Sequence, residues 1–210
     1  MRAPFLLPAL TRSHHFFGSA VVMTVITLSY LVSSRWQVAA PLSPGWGRLD
    51  GLVPHIPLAG LVYISHYLLI ASGLLVLRWP ERDRLLWRMV LALTAALVVF
   101  QLFPVELPPS PLPRGFPLAR VCREVFALDS PFNTFPSLHA AFALLTAGAL
   151  RRQEPRAGTA FLVWGWAVVV STLLAKRHFV PDAAAGVLLA AVCERLVPSR
   201  LDVSGAERAS

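Results

Sequence analysis

The chain has 210 residues, 56% of them hydrophobic and only 14% charged, whereas an ordinary soluble domain carries roughly 25% charged residues. Apolar runs near the spanning length of about 20 residues recur along it, which excludes both a water-soluble core and a single anchor on a soluble domain. The net charge of +8 lies in short clusters between those runs, a pattern that orients membrane helices, and no compact basic fold for nucleic acid can be placed.

The first apolar segment runs from Phe16 to Val32 after Arg2 and Arg12. Val38-Ala39-Ala40 could close a signal peptide. The run is longer than a signal core, however, and Arg35, Trp36 and Gln37 part it from the small residues, so a retained helix is expected. Five further segments follow: Ile56 to Leu77, Leu86 to Phe103, Phe135 to Leu150, Thr159 to Ala175 and Pro181 to Val197. Lipid offers backbone amides no partners and none of these stretches alternates with period two, so each is expected to be helical. The expected fold is all-α, a polytopic six-transmembrane-helix bundle forming one domain over residues 1–197, with residues 198–210 a polar, disordered cytoplasmic tail.

The connections are short and rich in helix breakers, except for residues 104–134. That proline-rich stretch has the length of a functional loop. Two cysteines are too few for a disulfide framework. Cys122 in this loop and Cys193 near the end of the last helix are expected at opposite faces and unpaired.

Most of the 19 Lys and Arg residues fall on one side of the alternating topology, at Arg78, Arg82, Arg84, Arg88, Arg151, Arg152, Arg156 and Arg195 and in both terminal segments. The positive-inside rule then places both termini in the cytoplasm and the long loop outside. The outer minority clusters between Arg114 and Arg177, which suits an anion site.

Two outer stretches hold nearly all the chemically able residues: Asn133-Thr134-Phe135-Pro136-Ser137-Leu138-His139 and Lys176-Arg177-His178-Phe179-Val180-Pro181-Asp182. The fourth and fifth segments form an antiparallel hairpin, so the two stretches are expected to lie level. Pro136 suits the first position of a helix, whose free amides, with the Ser137 hydroxyl, would offer a phosphate oriented donors. Asp182, four residues after His178, can hold one imidazole nitrogen and make the other a better nucleophile or base. Alone, each pattern has a plainer reading: a span beginning at Pro-Ser, a loop ion pair, cations marking a membrane edge. Together they meet the needs of phosphoryl transfer, where positioning and charge stabilisation dominate. His14, His15, His55 and His66 read as interfacial or packing residues, although His66 sits at membrane depth, where an ionisable group is a functional candidate by default.

At these residues the chain resembles the type 2 phosphatidic acid phosphatase superfamily, whose members carry a Lys and Arg-Pro motif, then Pro-Ser-Gly-His, then Ser-Arg followed by a His and an Asp. Here the second motif is Pro136-Ser137-Leu138-His139, with Leu for Gly as in the inositol phosphorylceramide synthase-like branch. The third keeps Ser171, His178, Asp182 and Gly186 but has Thr172 at the Arg position, with Lys176 as a replacement charge; for the first, the nearest substitute is Pro113-Arg114. The resemblance implies His178 as a phosphohistidine-forming nucleophile, Asp182 as its orienter and His139 as acid toward the leaving oxygen. Ser137, Lys176, Arg177 and Arg114 would bind the phosphate. It also implies no cofactor and no metal, and the chain shows no outward acidic cluster of the kind Mg²⁺ favours. The expected partners are the membrane and a lipid phosphate substrate, in a bacterial inner (plasma) membrane with the site facing outward. A phosphatase is the leading reading. A phosphotransferase to an alcohol acceptor and a non-catalytic lipid-binding protein are the alternatives.

Overall fold

The computed structural model describes residues 15–43, 45–109 and 118–199. Nine helices are formed among them: α1 (His15–Ser33), α2 (Gly47–Asp50), α3 (Ala59–Ile64), α4 (His66–Val76), α5 (Glu81–Leu102), α6 (Ala119–Phe126), α7 (Leu138–Gln153), α8 (Pro155–Leu174) and α9 (Val180–Leu196). There are no strands among the described residues beyond isolated bridges, Leu42 to Val105 and Val105 to Asn133. Each of the six apolar segments is helical, the second as α3 and α4 with a break at Ser65. Three are long and apolar enough to cross a membrane: Ala59–Val76, Glu81–Leu102 and Pro155–Leu174. The first is a shorter apolar helix, Phe17–Ser33. At about 1.5 Å per residue, the 16 residues of α7 rise roughly 24 Å, less than the roughly 30 Å of a hydrocarbon core.

Helix α7 is the axis of the bundle. Leu138, Ala140, Ala141, Phe142, Ala143, Leu145, Thr146, Ala147, Ala149 and Leu150 are all buried, so it is enclosed nearly all round, by α4, α5, α8 and α9. Its small residues permit this, because without bulky side chains the backbones approach closely. Gly165 of α8 lies so near that an added Cβ would meet Ala147 Cβ at 2.8 Å. The outer faces are the reverse: Phe17, Leu68, Leu75, Val98, Val163 and Leu188 are exposed, a spread of apolar surface that water would penalise.

The two ends of the bundle differ in chemistry. At one end the Arg78 amide donates to Gln153 Oε1, Arg152 pairs with Glu194 at 3.0 Å, and the buried Arg88 donates through Nε to the Val197 carbonyl. The opposite end gathers the C-termini of α1, α5 and α8 and the starts of α3, α7 and α9.

The long connection holds a helix that its prolines concealed. In α6, Ala119, Cys122 and Phe126 are buried while Arg120, Arg123 and Glu124 are exposed, and the buried edge packs on Gly60. Cys122 and Cys193 are both free and buried. Residues 200–210, His14 and Arg114 lie outside the described residues.

Candidate active site

Four sequence elements converge at the end of the bundle that holds the start of α7. Ser137, in extended conformation, is the N-cap, and its Oγ accepts from the Ala140 amide. The helix therefore begins at Leu138, and Pro136 lies outside it rather than at its first position; an N-cap needs non-helical backbone. The same residue ties α7 to α9, since the Ser137 amide donates to the Asp182 carbonyl at 3.0 Å. The contact is possible because residue 186 is glycine: an added Cβ would overlap the Ser137 carbonyl oxygen and reach 3.0 Å from Ala140 Cβ.

The turn from α8 to α9 is wound around one carbonyl. Thr172 O accepts from the amides of both Arg177 (2.9 Å) and His178 (3.1 Å), and Lys176 takes the left-handed conformation, φ 54°, a region uncommon for a residue with a side chain. The turn presents His178 to the interior, where it is 4% exposed. His178 Nδ1 lies 3.5 Å from Asp182 Oδ2, an oxygen that also accepts from the Phe179 amide at 2.9 Å. The separation is that of an ion pair, and His178 Nδ1 makes no hydrogen bond.

The rings of His139 and His178 have centroids 5.7 Å apart, near enough for one phosphoryl group to reach both. Arg177 stands beside them, donating through Nη2 to Phe126 O (3.2 Å) and Asp129 Oδ2 (3.3 Å) and lying 4.6 Å over the Phe126 ring. Its Nε is buried with no hydrogen-bond partner. Of the sequence-derived site residues, the structure gathers His139, His178, Asp182, Ser137 and Arg177.

Lys176 is not brought to this cluster. Its Nζ donates to Asp50 O (2.7 Å), Asp50 Oδ2 (3.1 Å) and Val53 O (2.7 Å), which occupies all three of its protons on the loop before α3. The buried Thr172 donates through Oγ1 to Val169 O within its own helix turn.

The cluster also contains residues that the motifs do not name. Tyr63 OH donates to Asp129 Oδ2 at 2.6 Å and lies 2.8 Å from His139 Nε2. His66 packs its ring 4.4 Å from that of His139 and 4.2 Å from Tyr67, so it belongs to the cluster rather than to the membrane edge. Its depth within an apolar segment was the signal; Asp129 carried none. A cavity of about 300 Å³ opens on this side. Its polar end is Tyr30, His66, Tyr67, Asp129 and His139, and its body is apolar, built from Met23, Ile26, Ile70, Leu74, Leu93 and Phe142. Among the described residues no group of three or more His, Cys, Asp or Glu is arranged to hold a metal ion.

Residues 53–194 match the PAP2 superfamily. The chain belongs to that superfamily. The match covers α3 through most of α9, and so every residue just described around the two rings and the cavity except Met23, Ile26 and Tyr30. No curated protein and no solved structure was found similar to the chain. Phosphatase- or phosphotransferase-type chemistry on a phosphate ester is what PAP2 membership supports in general.

Proposed function

We propose that this PAP2 protein is an integral membrane enzyme that hydrolyses a lipid phosphate or pyrophosphate through a phosphohistidine. The reading rests above all on the apolar cavity that borders His139 but not His178. In an in-line displacement the leaving group departs on the side away from the nucleophile. A hydrocarbon chain attached to the leaving oxygen would therefore lie in that cavity, with phosphorus between the two rings.

In this scheme one nitrogen of His178 faces Asp182 while the other attacks phosphorus. The N–P bond forms, the P–O ester bond breaks, and its electron pair leaves on the ester oxygen, which takes a proton from the His139 imidazolium. Arg177 and the Ser137 hydroxyl proton stabilise the equatorial oxygens. Water then attacks phosphorus, gives a proton to His139, and the N–P bond breaks to release phosphate. A phosphotransferase would share every step except the last, with an alcohol in place of water. The Arg-rich end of the bundle lies opposite the cluster, which supports a site facing outward and cytoplasmic termini, and the exposed apolar faces support six crossings, the short α7 sinking the site slightly below the surface.

The test is phosphate release by the purified protein in detergent, with EDTA, from phosphatidic acid and a polyprenyl pyrophosphate. Release is expected, and its loss in His178→Ala with the protein still folded. Equal activity in that variant eliminates the nucleophile; product only with an added alcohol selects the transferase; no turnover of any lipid phosphate rejects an enzymatic role.

A further inference from the structure

We infer that Tyr63 and Asp129 form a positioning unit that holds His139 as the acid for the leaving oxygen; the inference rests on the catalytic reading above. Neither residue belongs to the stretches that carry the His, Ser and Arg of the cluster. Tyr63 comes from α3 and Asp129 from the segment after α6, and they meet His139 from the start of α7.

The direction of the bonds follows from what each group can do. Asp129 in its ionised form only accepts, so the Tyr63 hydroxyl gives its proton to Oδ2, 2.6 Å away. The phenolic oxygen is left as an acceptor. His139 Nε2, at 2.8 Å and nearer than Nδ1 at 3.3 Å, must then be the donor, which selects the ring form carrying a proton on Nε2 and leaves Nδ1 for the proton that is transferred. Asp129 Oδ1 is itself 3.7 Å from Nε2. The hydroxyl, itself held by the carboxylate, fixes the orientation and tautomer of the ring. Arg177, 3.3 Å away, anchors that carboxylate, whose side chain is only 8% exposed.

The geometry is rigid as well as polar. Tyr63 is 1% exposed, its ring lies 5.4 Å edge-on from Phe126 and 4.5 Å from His139, and His66 backs His139 on the remaining side at 4.4 Å. The imidazole has little freedom to turn. The reaction step is the one already written: as the P–O bond breaks, the electron pair stays on the ester oxygen, the proton passes to it from Nδ1, and Nε2–H remains bound to Tyr63.

Dependence on the leaving group separates this role from a structural one. An alkoxide leaving group needs a proton and a nitrophenolate does not, so removing the acid's support costs turnover only where the acid is used. Tyr63→Phe, which keeps the ring and the Asp129–Arg177 pair, is compared with the unaltered protein on dodecyl phosphate and on para-nitrophenyl phosphate in the same detergent. We expect kcat on the dodecyl ester to fall on the order of 100-fold, the lower end for a general acid, with KM little changed, and kcat on the nitrophenyl ester to fall by less than about 5-fold. Asp129→Asn, a second variant should Tyr63→Phe not fold, is expected to show the same split on top of a loss common to both esters, because it also releases Arg177. Equal losses on the two esters in both variants overturn the inference and leave His178 chemistry standing. Failure of the unaltered protein to turn over either ester, or full activity in His178→Ala, overturns the catalytic reading and this inference with it.

Discussion

Gly186→Ala adds one carbon atom where α9 crosses the start of α7, and it tests whether the fold sets the separation of the two histidines. The new Cβ would overlap the Ser137 carbonyl oxygen and sit 3.0 Å from Ala140 Cβ and 3.2 Å from the Ser137 carbonyl carbon. Carbon contacts relax at roughly 3.5–4.0 Å, so the helices must part by roughly 0.5–1 Å there. Parting them stretches the bond from the Ser137 amide to the Asp182 carbonyl, now 3.0 Å, and draws the pair Ser137 and His139 away from His178 and Asp182. Overpacking of this kind costs about 1–3 kcal/mol of stability, and a displacement of about 1 Å between reacting groups costs about 100-fold in rate. The assay is initial phosphate release, with thermal unfolding in detergent as the companion. Gly45→Ala is the control, since a Cβ there meets nothing within 4 Å and should change neither quantity. Wild-type turnover in Gly186→Ala with an unshifted unfolding midpoint would refute the claim that this crossing positions the site.

Two further outcomes are expected of the same site and bundle. Arg177→Met should lower kcat/KM by about 100-fold, as for loss of one donor to a developing oxyanion, whereas Lys176→Met should lower the unfolding midpoint through its lost bonds to Asp50 and Val53 and leave kcat/KM within about 3-fold; the reverse ranking would return Lys176 to the phosphate. For topology, cysteines placed at Leu52 and Ala157, both exposed and at opposite ends of the bundle, should differ in intact cells: the first labelled by an impermeant thiol reagent, the second protected. Background is low because Cys122 and Cys193 are buried, and burial pushes the Cys122 thiol pKa up. Labelling at Ala157 and not at Leu52 would invert the orientation.

What was legible in the sequence was what local spacing encodes. Apolar run length set the helical segments within a few residues of their ends. The Ser137 to His139 and His178 to Asp182 intervals placed each pair on one helix start, and the hairpin of α7 and α8 put the two starts level. The fate of Lys176 was not legible by that logic. Two residues from His178 in the chain, it was expected at the same phosphate; the left-handed backbone at Lys176 instead reverses the chain between them, sending the ammonium to the loop before α3 and the imidazole inward. Asp129 and Tyr63 were invisible for a different reason. They reach His139 across long stretches of chain, and no periodicity or motif reports a contact that only packing creates. Helix α6 was hidden by the prolines before it, although its apolar positions at Ala119, Cys122 and Phe126 follow helical spacing.

The packing and the electrostatics of this site constrain each other. Two carboxylates, a guanidinium and three imidazoles held together at low exposure are costly where left alone, and sharing offsets part of the cost: Asp129 is bound by both Tyr63 and Arg177, and Asp182 by the Phe179 amide with its own carbonyl serving Ser137. Such sharing needs the starts of α7 and α9 within hydrogen-bonding reach, which is why the contact is made through Gly186 and Ala140 rather than through larger apolar residues that would bury more area. The helix at the centre of the bundle is accordingly poor in bulky side chains along the faces that meet α8 and α9. Stability there comes from close backbone approach, and the same closeness fixes the gap between the two rings that a phosphoryl group would have to bridge.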